Sequence, residues 1–403
     1  MYNILSLDGG GSWSLLQLLT LKERFQEELP DLKGHDILQK FDMIIANSGG
    51  SIVLAALAEN WSIDEAITLF DDKAIRESIF SKNRFKETFW PVSITRMFGF
   101  GPKYSSKRKG EAFKRLFPKI DKILMHDIPM MVGKDSLKLI VCAYDALNNR
   151  AKFFRSYTIA GSDEEQVRLT QAIHGSSNAP IQYFDFPARF KAKGSEIFYE
   201  LWDGALGGFN NPVVAGLIEA YKLGIPLERI QIISIGTGNR LMSIGDKKRF
   251  YKTKQITLRE RNKKYLFWRY GYQTEYFKNT VLNQAKTILY QPPDWANYVA
   301  LMFLLKTSDE DISNRFIRLS PMIHVDSNTN PHALEIIEKL YYMDMDLTVN
   351  TEIELLKVCF EKWKSGEIKN QPLEYHVERN NDLVYKKGDK YFENAMAKWK
   401  NIQ

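Results

Sequence analysis

The sequence has few cysteines and no long hydrophobic run. Among its 403 residues the two cysteines, Cys142 and Cys359, lie far apart in apolar surroundings. This pattern excludes a disulfide framework and a cysteine-based metal site, so we expect both thiols to be reduced and buried. The longest apolar run, residues 298–305, is well short of the roughly 20 residues that a membrane-spanning helix requires.

A basic leader followed by an apolar stretch is also missing, since Met1 is followed closely by a short apolar run at residues 4–7. A removable signal peptide is therefore not expected. We expect a cytoplasmic protein with peripheral membrane association, or a protein that leaves the cell by a route that needs no leader.

The composition is that of an ordinary globular protein, with 44% hydrophobic and 26% charged residues. Basic residues outnumber acidic residues by 56 to 49, which gives a formal net charge of +7. A positive charge favours contact with anionic surfaces. Such a surface can be phospholipid or nucleic acid, and charge alone does not distinguish between them.

Ser48 lies at a predicted strand-to-helix turn. A short apolar run, residues 43–46, precedes it, and an apolar segment with helical spacing begins at Ile52. A sharp turn of this kind exposes the serine hydroxyl and directs the helix N-terminus at the same point, which is typical of a nucleophile elbow. The usual pattern is G-x-S-x-G, and Ala46 stands at the position of the first glycine. An ordinary turn is the alternative interpretation.

Two further strand ends carry small and acidic residues. Asp8-Gly9-Gly10-Gly11 follows a predicted first strand and precedes a helical pattern at residues 15–25. Glycines at a helix N-terminus expose N–H groups that can bind a phosphate or an oxyanion, although the run fits neither a dinucleotide fingerprint nor a P-loop. A strand predicted at residues 197–202 ends at Asp203, whose carboxylate can project into a shared cleft. Turn formation is the alternative role for both stretches.

Basic and aromatic residues are interspersed in residues 81–110 and in residues 240–276. The first segment also contains glycine and proline and predicts a loop or lid. Both surfaces suit a membrane interface, with a nucleic-acid surface or a solvated connection as alternatives. A helical pattern begins beyond His332, and the lysine-rich tail from Tyr385 is expected to be solvated.

These motifs together resemble the patatin-like phospholipase family. The matching stretches are Asp8-Gly9-Gly10-Gly11, Ala46-Asn47-Ser48-Gly49-Gly50, and Asp203-Gly204-Ala205 with Asn210-Asn211-Pro212. Supporting matches are Lys103-Tyr104, residues 176–180 with Tyr183-Phe184, residues 234–238, and residues 315–321. They occur in the family's order over roughly the first 330 residues, which makes the combination far more specific than any one motif.

The resemblance implies a three-layer α/β/α patatin-like fold with a mostly parallel central sheet. It implies a lipid acyl hydrolase of the phospholipase A type that uses a serine–aspartate dyad, with Ser48 as nucleophile and Asp203 as base, and with no metal or cofactor. The N–H groups of Gly9, Gly10 and Gly11 would form the oxyanion hole. Residues 1–330 would form the patatin-like domain, and residues 331–403 a C-terminal helical extension.

The sequence departs from the family pattern at Ala46 and after the glycine run, where Trp13 and Ser14 replace the usual arginine and glycine. A catalytically impaired lipid-binding or interaction protein is therefore the alternative function. His174 is a candidate third member of a triad, and Ser51 and Ser176 are rival nucleophiles. We expect the partner to be an anionic phospholipid membrane surface and not a nucleic acid. The sequence does not predict an oligomeric state.

Overall fold

The computed structural model describes residues 1–29, 31–82, 102–158, 166–180, 183–194, 196–240, 292–305, 314–324, 331–343, 349–377 and 383–402. Most of the expected lid, residues 83–101, and the second basic and aromatic surface, residues 241–276, lie outside the described residues. In the described ranges, no helix has both the length and the apolar composition needed to cross a membrane.

The described strands follow one another along the chain from the N-terminus to the C-terminal region. They are β1 (Tyr2–Leu7), β2 (Met43–Asn47), β3 (Lys138–Asp145), β4 (Arg150–Arg155), β5 (Ala188–Lys191), β6 (Phe198–Asp203), β7 (Ile230–Ile235), β8 (Asn239–Arg240), β9 (Phe316–Leu319), β10 (Met322–Ile323), β11 (Glu374–Val377) and β12 (Leu383–Lys387).

The described α-helices lie between these strands and after them. They are α1 (Leu15–Phe25), α2 (Gly34–Leu38), α3 (Ser48–Ala58), α4 (Ile63–Asp71), α5 (Lys73–Ile79), α6 (Ser106–Leu116), α7 (Ile128–Val132), α8 (Leu169–Ser176), α9 (Val213–Lys222), α10 (Pro292–Leu305), α11 (Pro331–Tyr342), α12 (Asn350–Lys364) and α13 (Phe392–Ile402).

Within the described residues, the central sheet has eight strands: seven in the order β5-β6-β3-β2-β1-β7-β9, and β4, which pairs with β3 outside this path. The pairs β1/β2, β1/β7, β2/β3 and β7/β9 are parallel, whereas β6 runs antiparallel to β3 and β5. Parallel strands need crossover connections, and helices supply several of these. The sheet is therefore mostly parallel, and the expected fold class is confirmed.

Alternate residues of the central strands pack against helices on opposite faces of the sheet. Leu5 of β1 belongs to the core cluster that also includes apolar residues of α1, α3, α12 and α13. Ile4 belongs to the cluster formed with α9 and α10. Successive strand side chains point to opposite faces, so a sheet covered on both faces gives an almost continuous apolar run, as in β2 and β7.

Two stretches differ from the sequence-based expectation. Residues 106–110, expected in the loop, form the start of α6, because Ser105 caps the helix and Lys109 lies on the same helical face as Ala112 and Phe113. The tail, expected to be solvated, ends in α13, where Trp399 is fully buried and packs against Phe25 at 5.7 Å between ring centroids.

Other predictions are confirmed. Cys142 and Cys359 are buried free thiols. The helical pattern beyond His332 corresponds to α11, in which Ile337 and Leu340 are buried. The C-terminal helices share the core cluster of α1 and α3, while the division of the chain at residue 330 stays a prediction.

Candidate active site

Ser48 occupies a sharp turn between β2 and α3. β2 ends at Asn47, Ser48 is the first residue of α3, and its φ angle is +49°. A positive φ is strained for a residue with a side chain. Strain at a serine between a strand and a helix is the feature that defines a nucleophile elbow.

The two glycines after Ser48 allow the elbow to pack closely against the end of β1. A methyl group at Gly50 would lie 2.6 Å from the carbonyl oxygen of Leu7, and one at Gly49 would lie 2.2 Å from the hydroxyl oxygen of Ser14. Ser14, which departs from the family pattern, therefore fits because Gly49 leaves room for it. Ala46 is buried within β2, and the elbow forms with alanine at that position.

A chain of hydrogen bonds joins the elbow to Asp203. The backbone N–H of Ser48 donates to the hydroxyl oxygen of Ser176 at 2.8 Å. Ser176 donates to Oδ1 of Asn47 at 3.4 Å, and Nδ2 of Asn47 donates to Oδ1 of Asp203 at 3.1 Å. Ser176, considered as a rival nucleophile, is fully buried and positions the elbow.

Asp203 reaches the same edge of the sheet from an antiparallel strand. Its partner in β3 is Ala143, and β3 continues to Asp145, so the end of β6 lies beside the end of β2. The Asp203 N–H donates to the carbonyl oxygen of Asn178 at 3.1 Å, and Oδ1 accepts from the Ala205 N–H at 2.9 Å. Asp203 therefore comes from the antiparallel part of a mostly parallel sheet.

The carboxylate of Asp203 is an unusually basic group for an aspartate. The side chain is almost completely buried, and burial raises its pKa, although hydrogen bonds from Ser48, the Ala205 N–H and Asn47 lower it in part. The side chain of Ser48, the candidate nucleophile, is thus near enough to influence the pKa of Asp203, the candidate base. A buried carboxylate is a better proton acceptor than a solvated one.

The glycine loop, residues 8–14, approaches the elbow from the end of β1. The Gly9 N–H donates to the carbonyl oxygen of Asn210 at 2.7 Å, and Thr237 donates to the Gly9 carbonyl oxygen at 2.6 Å. The Gly9 N–H is thus already engaged. Gly10 and Gly11 line the cleft beside Ser48 and remain the candidate oxyanion donors.

A buried salt bridge anchors the start of the glycine loop. Arg318 of β9 donates to Oδ2 of Asp8 at 2.7 Å, and each side chain is 2% exposed. The same guanidinium donates to Ser234 at 2.7 Å and to Oε1 of Gln371 at 3.0 Å. Arg318 thus braces the loop from outside, although the sequence lacks the family's arginine within the loop.

Sequence reasoning assigned no role to Arg318 or Thr237. Arg318 belongs to a segment used as a supporting match, in which it stands between the apolar residues Ile317 and Leu319. A charged residue in an apolar strand needs a buried partner, and this signal points to an acidic residue at a neighbouring strand end. Thr237 lies between two glycines, and nothing in the sequence indicates its contact with Gly9.

The cleft contains about 500 Å³ of empty space, including its open mouth. Its polar residues are Ser48, Asp203, Ser177 and Asn210, beside the glycines of the loop and elbow. The remaining wall is apolar and aromatic, and it comprises Ile52, Phe80, Ala179, Tyr183, Phe184 and Ala205. The candidate reactive groups therefore share a cleft with a wall suited to a hydrocarbon chain.

His174 makes its contacts away from the dyad. Its Nε2 lies 2.9 Å from the carbonyl oxygen and 3.2 Å from the hydroxyl oxygen of Ser106. Burial, with the nearby charge of Lys109, lowers the pKa of His174 to about 3, so the ring is neutral. Ser51 donates to the carbonyl oxygen of Ser48 within α3, as a serine in a first helical turn commonly does.

The family model described as patatin-like phospholipase matches residues 5–217, more than half of the chain. The chain belongs to the patatin-like phospholipase family. This membership supports a lipid hydrolase at the level of the family. The patatin-like match includes the glycine loop, the elbow and Asp203, and it ends within α9. Thr237 and Arg318, which anchor the glycine loop, lie beyond it.

Solved structures with similar chains include VipD from Legionella pneumophila, with 12% identity, 90% of this chain and 67% of VipD covered, and a TM-score of 0.34. The type III effector ExoU has 9% identity, 89% of this patatin-like chain and 53% of ExoU covered, and a TM-score of 0.29. A chain of the SpcU–ExoU complex from Pseudomonas aeruginosa has 15% identity, 44% and 38% covered, and a TM-score of 0.25.

The patatin-like chain spans about half the length of the ExoU chain that it resembles. Among curated proteins, no match to the chain was found. The family match is therefore the finding that decides the family.

Proposed function

We propose that this chain is a phospholipase A-type lipid acyl hydrolase in which Ser48 is the nucleophile and Asp203 the general base. The observation that carries the proposal is the chain of hydrogen bonds through Ser176 and Asn47 that links the strained Ser48 to the buried Asp203 carboxylate. Both residues line one cleft with Gly10 and Gly11. A nucleophile, a base and backbone donors are the groups that acyl transfer needs.

In the first half of the reaction, the Asp203 carboxylate accepts the Ser48 proton while the serine oxygen attacks the acyl carbonyl carbon. The N–H groups of Gly10 and Gly11 stabilise the developing oxyanion, and such donors contribute about 3–4 kcal/mol each in other hydrolases. The ester bond to the lipid breaks, and the proton passes from Asp203 to the departing oxygen. In the second half, Asp203 accepts a proton from water, which attacks the acyl-serine carbonyl carbon. The bond to the Ser48 oxygen breaks, the proton passes from Asp203 to that oxygen, and the fatty acid is released.

The substrate class is supported by the cleft and by the charge of the chain. The wall formed by Ile52, Phe80 and Phe184 suits a fatty acyl chain. Lys103 lies 5.9 Å from the ring centre of Tyr183, another wall residue. With the net charge of +7, a cation beside the cleft favours an anionic headgroup.

We propose an anionic phospholipid membrane surface as the partner, with no nucleic acid and no metal or cofactor in the reaction. The protein would act in the cytoplasm as a peripheral membrane protein. Residues 1–330 would carry the hydrolase and residues 331–403 the helical extension. Sedimentation with phosphatidylserine-containing vesicles in preference to neutral vesicles, at physiological salt, is the expected result for this partner.

The test is fatty-acid release from mixed anionic liposomes by the wild type, Ser48→Ala and Asp203→Asn. Loss of either dyad member should reduce release about 1,000-fold or more. Ser51→Ala is the matched control, because it removes a neighbouring hydroxyl from α3 and should retain activity.

Wild-type protein that sediments with liposomes, releases no fatty acid and resists fluorophosphonate labelling at Ser48 would contradict the proposal. That combination would identify the catalytically impaired lipid-binding protein, the alternative predicted from Trp13 and Ala46. Labelling without release would instead indicate a functional dyad acting on another ester.

A further inference from the structure

Lys109 is a buried lysine next to the candidate active site. It belongs to α6, and its side chain is fully buried. The ammonium group donates to the hydroxyl oxygen of Ser177 and to the carbonyl oxygen of His174, each at 3.2 Å. Ser177 donates its own proton to the carbonyl oxygen of Ile173 at 2.7 Å, so its oxygen is left to accept from Lys109.

The surroundings of Lys109 are those of a cation. His174 lies in the last turns of α8, and the carbonyl groups at a helix C-terminus carry partial negative charge. The ring of Phe184 lies 4.0 Å from the ammonium nitrogen, within the range of a cation–π interaction. The ring of Phe113 lies farther away, at 5.9 Å. Two oxygen acceptors and two aromatic rings therefore surround an ammonium group that has three donors.

Lys109 and Asp203 act on each other through the wall of the cleft. Burial lowers the pKa of Lys109 well below its usual value, and the Asp203 charge opposes that change, so the ammonium form depends on Asp203 and on the two oxygen acceptors. Burial likewise raises the pKa of Asp203, and the Lys109 charge opposes it. Ser177 and Phe184, which contact Lys109, line the cleft together with Asp203.

The other titratable groups on the surrounding elements leave this pair as the principal charges. His174 is neutral because its pKa is lowered to about 3, and burial raises the pKa of the Cys142 thiol, so it is also neutral. Other charged groups on these elements include Asp185, which accepts from the Ser106 N–H, and Arg76 of α5, which donates to backbone carbonyl groups. On α6 itself, Arg108 is half-buried, and the remaining charged side chains are exposed: Lys107, Glu111, Lys114 and Arg115.

We propose that Lys109 is a positioning residue for the reaction: its buried ammonium keeps the Asp203 carboxylate ionised and fixes the cleft wall formed by Ser177 and Phe184. This inference rests on the proposed role of Asp203 as the base. A carboxylate in an apolar site tends to take up a proton and lose its basic form. A cation that stays out of direct contact preserves the negative charge without occupying the oxygen atoms that must accept the serine proton.

The test is the pH dependence of Ser48 labelling by a fluorophosphonate in the wild type, Lys109→Met and Lys109→Gln. Met keeps the length of the stem in an aromatic site, and Gln keeps a hydrogen-bond donor, but neither carries charge. In both variants the pH at which the labelling rate falls on the acidic side should rise by about one unit. Below that pH, the variants should be labelled about tenfold more slowly than the wild type.

At alkaline pH the variant rates should approach the wild-type rate, because Asp203 is ionised in all of the proteins. Lys114→Met is the matched control, since it removes a lysine from the exposed side of the same helix, and its profile should follow the wild type. Thermal unfolding of each protein at the same pH values shows that the labelled protein is folded.

A uniform loss of rate at every pH in both variants, with the acidic fall unmoved, would overturn the inference and leave Lys109 a packing role. Failure of the proposed function is recognised separately. If Asp203→Asn is labelled as fast as the wild type, Asp203 is not the base, and both the function and the inference are overturned.

Discussion

Two aspartates at the same edge of the sheet are held in opposite ways. Asp8, at the end of β1, is paired directly with Arg318 in a buried salt bridge. Asp203, at the end of β6, accepts hydrogen bonds from Asn47 and the Ala205 N–H, both neutral donors. The cation that acts on it, Lys109, makes its hydrogen bonds to Ser177 and His174.

This difference explains how two similar residues can have different tasks. A carboxylate in direct contact with a guanidinium is a weak base, because the ionised form is strongly favoured. Such a group is suited to anchoring the glycine loop. A buried carboxylate with neutral donors keeps its basicity, and it is suited to accepting a proton from Ser48. The environment, more than the residue type, separates the two roles.

Among variants that keep Ser48 and Asp203, the largest expected effect is that of Arg318→Met, which removes the salt bridge between Arg318 and Asp8. Removing the guanidinium leaves Asp8 buried without its arginine partner, and the loss of one member of a buried pair typically costs about 3–5 kcal/mol. The glycine loop should also lose its orientation. We therefore expect Ser48 labelling, measured per folded molecule, to fall about 100-fold, since small displacements of reacting groups have effects of that size.

Arg155→Met is the matched control for this prediction. Arg155 of β4 forms a partly buried salt bridge with Glu219 of α9 at 2.7 Å. The Arg155→Met variant should have a lower free energy of unfolding, measured by chemical denaturation, and an unchanged labelling rate of the folded protein. Equal labelling rates in the two variants would show that Arg318 contributes stability alone and that the glycine loop keeps its orientation without it.

A smaller effect is expected from Ser176→Ala, which changes the hydrogen bonds at the Ser48 elbow. The variant removes the acceptor of the Ser48 N–H and the donor to Asn47. A lost buried hydrogen bond costs about 1–3 kcal/mol, and we expect about a tenfold slower Ser48 labelling. Ser78→Ala removes a hydroxyl that bonds within α5 and should label at the wild-type rate. Retained labelling in Ser176→Ala would mean that the strained turn holds its shape through the backbone alone.

The turns and strand ends of the candidate site could be predicted from the sequence. The glycine loop, the elbow at Ser48 and the strand end at Asp203 each follow from a local change of hydrophobic spacing at small residues. The arrival of the glycine loop and the elbow at one edge follows from the rules for parallel strands. The antiparallel direction of β6 could not be predicted, because pairing depends on residues distant in sequence.

The burial of Lys109 and Trp399 could not be predicted from the sequence. Lys109 was assigned to an exposed basic segment, since a lysine is seldom fully buried. Its burial depends on contacts with α8 and Phe184, more than 60 residues away. Trp399 was assigned to a solvated tail, because the surrounding lysines dominate the local composition. Long-range contacts decide the environment of both residues, and a single sequence contains no direct record of them.

The smallest expected effect is that of Ala46→Gly, which restores the glycine of the usual elbow pattern. The Ala46 methyl group is buried in the core cluster, and Ser48 adopts its positive φ with alanine present. Replacing a buried methyl group and loosening a strand should cost about 1 kcal/mol of unfolding free energy. Labelling and fatty-acid release should stay within about twofold of the wild type, because the elbow already has its shape.

Ala55→Gly, at a buried position within α3, is the control for the stability loss. A gain in fatty-acid release of tenfold or more for Ala46→Gly alone would show that alanine tilts the elbow. That result would indicate that the wild type is the catalytically impaired protein named as the alternative function.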